Sequence, residues 1–182
     1  MTNMWKKIGL VGGQIAAAFL IFAVLPFAAQ AQSVLKEHDT YQAIDISADQ
    51  MELYEKLGRT HLKGSVKVIQ GKMTLSADNL LVFYQREKGQ KDPSIQRLDA
   101  SGAFVLASSS ETVTGDWGIY DVAARLVTVG GNVTLQQGDN VLKGERLELD
   151  LVSGRAKLDG KEDPATGQKQ RVKGRFSVPD KK

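Results

Sequence analysis

Four carboxylates recur after a small residue: Ala48-Asp49, Ala77-Asp78, Gly115-Asp116 and Gly144-Glu145. Paired acids are the machinery of glycoside hydrolysis, one protonating the leaving oxygen and the other attacking or activating water. Acids at equivalent places in successive units fit a turn role better, because an Asp side chain bonds a backbone N–H two residues on. His38 and His61 are the only histidines and the chain has no cysteine, a poor donor set for a metal. Ser108-Ser109-Ser110 has no Gly-x-Ser-x-Gly frame and no neighbouring base. Trp117 and Tyr120 read as core or groove lining rather than a sugar platform. No catalytic residue, metal site or cofactor is expected. A secreted polysaccharide-active enzyme stands as an alternative, resting on the recurring acids alone.

The acids belong to a wider pattern. Gly64-Ser-Val-Lys-Val, Gly102-Ala-Phe-Val-Leu and Gly131-Asn-Val-Thr-Leu each open an alternating run, and Gly160 takes the same place in a fourth unit. The acids step by 29, 38 and 29 residues and the glycines by 38, 29 and 29. Each glycine follows its acid by 15, except Gly102, which follows Asp78 by 24. A 29-residue repeat with one nine-residue insertion, the polar loop 86–94, accounts for every interval.

Within each unit apolar residues alternate with period two, the signature of strands. The interior set is Met51, Leu53, Val66, Val68, Leu75, Leu80, Val82, Phe104, Leu106, Val113, Tyr120, Val133, Leu135, Leu142, Leu147 and Leu149. Short runs between Gly, Asp, Asn and Ser predict about sixteen short antiparallel strands in an all-β, solenoid-like open stack. Stacked units would give the interior continuous apolar rows, either as a closed core or as a groove for an acyl guest. The residues alone leave that choice open, and a structural β-solenoid without cargo remains an alternative. The end strands, around Ile44 and Ile46 at one edge and Val172 and Phe176 at the other, carry no obvious cap. They invite strand addition.

Residues 1–31 read as a cleaved secretory signal. A basic start (Lys6, Lys7) precedes an apolar stretch broken by Pro26, and Ala29-Gln30-Ala31 sets cleavage between Ala31 and Gln32. Residues 32–43 form an N-terminal segment, 44–178 the β domain and 179–182 a tail. Without the leader the 24 bases become 22 against 21 acids, a net charge of +1, too balanced for a nucleic-acid binder.

The runs Ile46-Ser-Ala-Asp-Gln-Met-Glu-Leu53, Leu62-Lys-Gly-Ser-Val-Lys-Val68 and Leu75-Ser-Ala-Asp-Asn-Leu80 resemble the OstA-like repeat. With the signal they resemble the LptA/OstA-like family of periplasmic lipopolysaccharide transport bridges, over roughly residues 40–160. The resemblance implies a twisted β-jellyroll open at both ends, with lipid A acyl chains sheltered inside and no catalysis. It also implies head-to-tail self-association between an inner-membrane LptC-like partner and the N-terminal domain of an outer-membrane LptD-like protein. The insertion at 86–94 departs from the plain repeat. An anchored LptC-like component is the nearest alternative, and the Ala29-Gln30-Ala31 site argues against it.

Overall fold

The computed structural model describes residues 38–86, 89, 92–163 and 165–178. The expected signal, including cleavage between Ala31 and Gln32, and the 179–182 tail lie outside them. Among the described residues the chain is antiparallel sheet, with one 3-10 turn at Glu55–Leu57. The strands are β1 (Ile44–Ser47), β2 (Gln50–Tyr54), β3 (Arg59–Gln70), β4 (Met73–Gln85) and β5 (Ser94–Ala107). They continue with β6 (Glu111–Asp121), β7 (Leu126–Gln137), β8 (Asn140–Asp150), β9 (Ala156–Asp159) and β10 (Lys173–Arg175). Their order is β1-β3-β4-β5-β6-β7-β8-β10, with β2 also on β3 and β9 also on β8.

Where sixteen short strands are expected, the described residues form ten, because consecutive short runs join into single long strands. The joints are bulges, not turns. Gly64-Ser65 fills the register gap opposite Asp78, Gly102-Ala103 that opposite Asp116, and Gly131-Asn132 that opposite Glu145. Two residues facing one bend the strand and increase its twist without ending it. Both residues of each bulge are left-handed: Gly64 at φ 74° and Ser65 at 45°, Gly102 at 78° and Ala103 at 43°, Gly131 at 76° and Asn132 at 50°.

The acids sit on the same line, mid-strand or at a strand break, rather than in the turns expected for them. The carboxylate of Asp49 lies where a side chain on Gly64 would go; Asp78 does the same at Gly102, and Asp116 at Gly131. Only glycine combines that backbone angle with that closeness. The pattern fails at the fourth place, where the Gln170 carbonyl rather than Glu145 abuts Gly160.

The bulges align across neighbouring strands, so the sheet folds along one line into two arms. The first arm holds β1, 66–70, 73–77, 104–107, 111–115, 133–137, 140–144 and β10. The second holds β2, 59–63, 79–85, 94–101, 117–121, 126–130, 145–150 and β9. Their inner faces meet: the Phe104 ring of the first arm lies against Gly118 of the second, where a Cβ would collide with it. The β1–β2 edge and the β9–β10 edge stay apart, and the sheet is open.

Candidate functional site: the apolar interior and its two edges

Period-two alternation points one side of every strand into the space between the arms. Register turns those residues into rows that run across the strands. On the first arm one row reads Ile46, Val68, Leu75, Leu106, Val113, Leu135, Leu142, ending at Gly174. On the second arm one row reads Met51, Leu62, Leu80, Ala100, Gly118, Val129, Leu147, Leu158. Its neighbour reads Leu53, Thr60, Val82, Leu98, Tyr120, Val127, Leu149, Ala156. Each row starts at one edge of the sheet and finishes at the other.

All sixteen interior residues singled out from the sequence face this space or its ends. Val66, Val68, Leu75, Leu80, Val82, Phe104, Leu106, Val113, Tyr120, Val133, Leu147 and Leu149 are buried. Leu135 and Leu142 are half-buried towards the last edge. Met51 and Leu53 are 58% exposed, because no strand follows β2 at the first edge. At the other edge Val172 and Phe176 flank β10 and are 39% and 63% exposed. Ile44 and Ile46 lie on β1, half-buried.

The sequence reading missed Leu62, Leu98, Val127 and Val129, which the same alternation would have found. It also placed Trp117 inside. Trp117 points outward, one residue out of phase with Gly118 and Tyr120, and its indole covers Gly130 on β7. His38 lies beside Gln70 and His61 on β3, far apart in the fold, and no group of three or more potential metal ligands gathers among the described residues.

The rows open into a cavity of about 300 Å³ at the first edge. Its walls come from both arms: Ile46 on the first, and Met51, Thr60, Leu62, Val82, Tyr84 and Ile95 on the second, with Pro93 at its lip. Pro93 belongs to the inserted loop, so the insertion shapes this mouth. A second, wider pocket of about 560 Å³ shares Tyr84 and Pro93 and is lined by Leu53, Glu55, Lys56, Gly58 and Arg86. An apolar recess beside a vestibule with two cations suits an amphiphile with an anionic head.

Two polar clusters interrupt the apolar interior on the first arm: Glu111, 5% exposed, accepts from Gln137 Nε2 at 3.0 Å, and the other centres on Gln70. Gln70, 1% exposed, accepts from the Tyr120 hydroxyl at 3.0 Å and lies 3.0 Å from His38 Nε2. Its Nε2 donates to the Thr40 and Gln42 carbonyls, both at 2.9 Å. Every polar atom of the amide has a partner, as burial requires. Burial pushes the Tyr120 hydroxyl up from 10.0 to about 12. The same N-terminal segment reaches the second arm, where the Arg125 guanidinium stacks 4.9 Å from the Tyr41 ring centre. It straps the two arms together beside the mouth.

The fold is similar to that of a solved structure, LptH of Pseudomonas aeruginosa. That protein is described as the LptA-homologous periplasmic component of the conserved lipopolysaccharide transport device. The two share 19% identity with a TM-score of 0.65, over 78% of this chain and 99% of that one. An uncharacterised protein of Rhizobium meliloti (strain 1021) is 32% identical over 155 residues, 83% of this chain and 81% of the relative. The model of the LptA/(LptD N-terminal domain) LPS transport protein family matches residues 45–155. The chain belongs to this family of lipopolysaccharide transport proteins.

Proposed function

We propose that the chain is a periplasmic bridge that takes the acyl chains of lipopolysaccharide between its two arms and passes the lipid from the inner to the outer membrane. The observation that carries this is the set of apolar rows running unbroken from edge to edge, with an apolar cavity at the first. In this reading residues 44–178 are the working domain, exported by the 1–31 signal.

The physical case rests on exchange. An acyl chain leaving water gains roughly 8 kcal/mol for ten buried methylenes. The central rows are already packed, with Leu80 and Val113 at 0% exposure, so a guest must part the arms. The mouth is where that starts, since Met51 and Ile46 already border open space. Inside, lipid methylenes replace contacts between apolar side chains, so the guest advances along a row without leaving an apolar surrounding. Lys56 and Arg86 hold the anionic head outside the recess.

The open edges complete the reading. Strand addition at β1–β2 and at β9–β10 joins copies head to tail and docks the stack on an inner-membrane LptC-like protein and the N-terminal domain of an outer-membrane LptD-like protein. Photo-crosslinking residues at Val66, Phe104 and Val133 should capture lipopolysaccharide in the envelope, whereas Lys67, on the outer face, should not. Capture at Lys67 alone would place the lipid outside the arms and end this account.

A further inference from the structure

The rows determine how a second copy adds to the sheet. Counting β1–β2 and β9–β10 as one bent strand each, the sheet has eight strand positions, and every pairing is antiparallel. With an even number, the last strand runs opposite to the first. A copy shifted along the sheet without inversion therefore presents its β1–β2 antiparallel to β9–β10. The arms match as well: β1 meets β10 on the first arm, and β2 meets β9 on the second.

Joining the end of each row to the start of the same row in the next copy picks out one register. The first-arm row ends at Gly174 and restarts at Ile46 of the next copy; the second-arm row ends at Leu158 and restarts at Met51. A slip of one residue would turn every inward side chain outward. In this register the outward residues are charged. Arg175 falls opposite Asp45 of the second copy, and Lys157 falls opposite its Glu52. The two edges are complementary more broadly. Residues 38–55 carry five acids and no Lys or Arg, while 156–178 carry six bases and three acids.

We infer that copies of this chain stack in the register that pairs Ile46 with Gly174 and Met51 with Leu158, and that the Asp45–Arg175 pair selects it. This rests on the head-to-tail reading above. Asp45 and Arg175 are both exposed and neither has an ion pair among the described residues. Glu52 and Lys157, by contrast, already hold Lys63 at 3.5 Å and Asp159 at 2.9 Å. Among the described residues, Asp45–Arg175 is thus the pair left for a second copy to complete. Opposite charges directly across an antiparallel pair stabilise it and like charges oppose it, so this pair discriminates between registers and between partners.

The chain lacks cysteine, which makes the register directly readable. The Ser47→Cys, Lys173→Cys double variant places its two thiols opposite one another between copies, and it should form disulfide-linked ladders. Ser47→Cys with Arg175→Cys, two residues out, should not, because a disulfide spans only about 4 Å between Cβ atoms. By sedimentation, Asp45→Arg and Arg175→Asp should each weaken self-association about five- to tenfold, and the double reversal should restore it. Thermal melts of these surface variants report that the fold is intact. Ladders from the offset pair, or reversals that are additive rather than rescuing, overturn the register. A wild-type chain that stays monomeric at high concentration overturns the stack itself, while lipid capture at Val66, Phe104 and Val133 still reports on the cargo reading.

Discussion

The Tyr120 hydroxyl reaches across from the second arm to donate to Gln70 Oε1 on the first, at 3.0 Å. It is a polar tie between two otherwise apolar faces, and it meets the N-terminal strap at the same amide. The Tyr120 hydroxyl persists inside because Gln70 accepts from it, and Gln70 because His38, Thr40 and Gln42 hold it as well; an unpartnered polar group there would cost more than it contributed.

Replacing Tyr120 by Phe should cost about 1 kcal/mol near neutral pH, since Gln70 keeps its other partners. The pH profile is the sharper readout. With its folded value raised from 10.0 to about 12, Tyr120 holds its proton in the native state after the unfolded chain has lost it. Its contribution is complete below pH 10 and is lost as pH rises from 10 towards 12. Urea unfolding at stepped alkaline pH should show a shallower fall in Tyr120→Phe than in the wild type. Parallel profiles through that window would show that this hydroxyl is not buried as described.

The acid–glycine contacts on the bend line are coupled and should be measured as pairs. Gly102→Ala puts a Cβ into the Asp78 carboxylate at a φ of 78°, at an expected cost of about 2 kcal/mol. Asp78→Ala removes the carboxylate and leaves the Cβ of residue 78 at 2.9 Å, so it relieves part of the clash, and the double variant should be less unstable than the sum of the singles by about 1 kcal/mol. Strict additivity in denaturant melts would deny the contact. Asp78→Asn and Asp116→Asn, assayed on envelope glycans, discriminate against the hydrolase alternative, which requires their carboxylates for turnover.

At the mouth, Met51→Glu should leave stability within about 0.5 kcal/mol, because the side chain is largely exposed. It should nevertheless weaken capture of a fluorescent acyl probe about tenfold, since a carboxylate must then be desolvated at the entrance. Unchanged probe affinity in a normally folded variant would move the entrance away from the first edge.

The alternation of Val66, Val68, Phe104, Leu106, Val133 and Leu135 made the strands and the inward side legible without a structure. The bends were legible only as intervals. Asp49 and Gly64, like Asp116 and Gly131, recur 15 residues apart, yet spacing does not distinguish a turn that ends a strand from a bulge that folds it. That ambiguity produced too many strands and the wrong place for the acids. Trp117 was misplaced for a related reason, since the Gly115-Asp116 step sits where parity resets. Gln70 left no trace, because a buried amide looks like any surface glutamine until its partners at Thr40, Gln42 and Tyr120 are brought together. The mouth was equally hidden: Ile46, Met51 and Pro93 are separate in sequence, and only folding along the bend line gathers them.

The bend line has a consequence for scale. The long strands cross it once, so the distance from bend to strand tip sets the gauge of the space between the arms. The number of strands sets its length. Gaining or losing a hairpin would change reach and leave the bore unaltered. A sheet with more or fewer strands would therefore present the same cross-section, and copies stacked as proposed would need no adaptor to keep the calibre constant along the line.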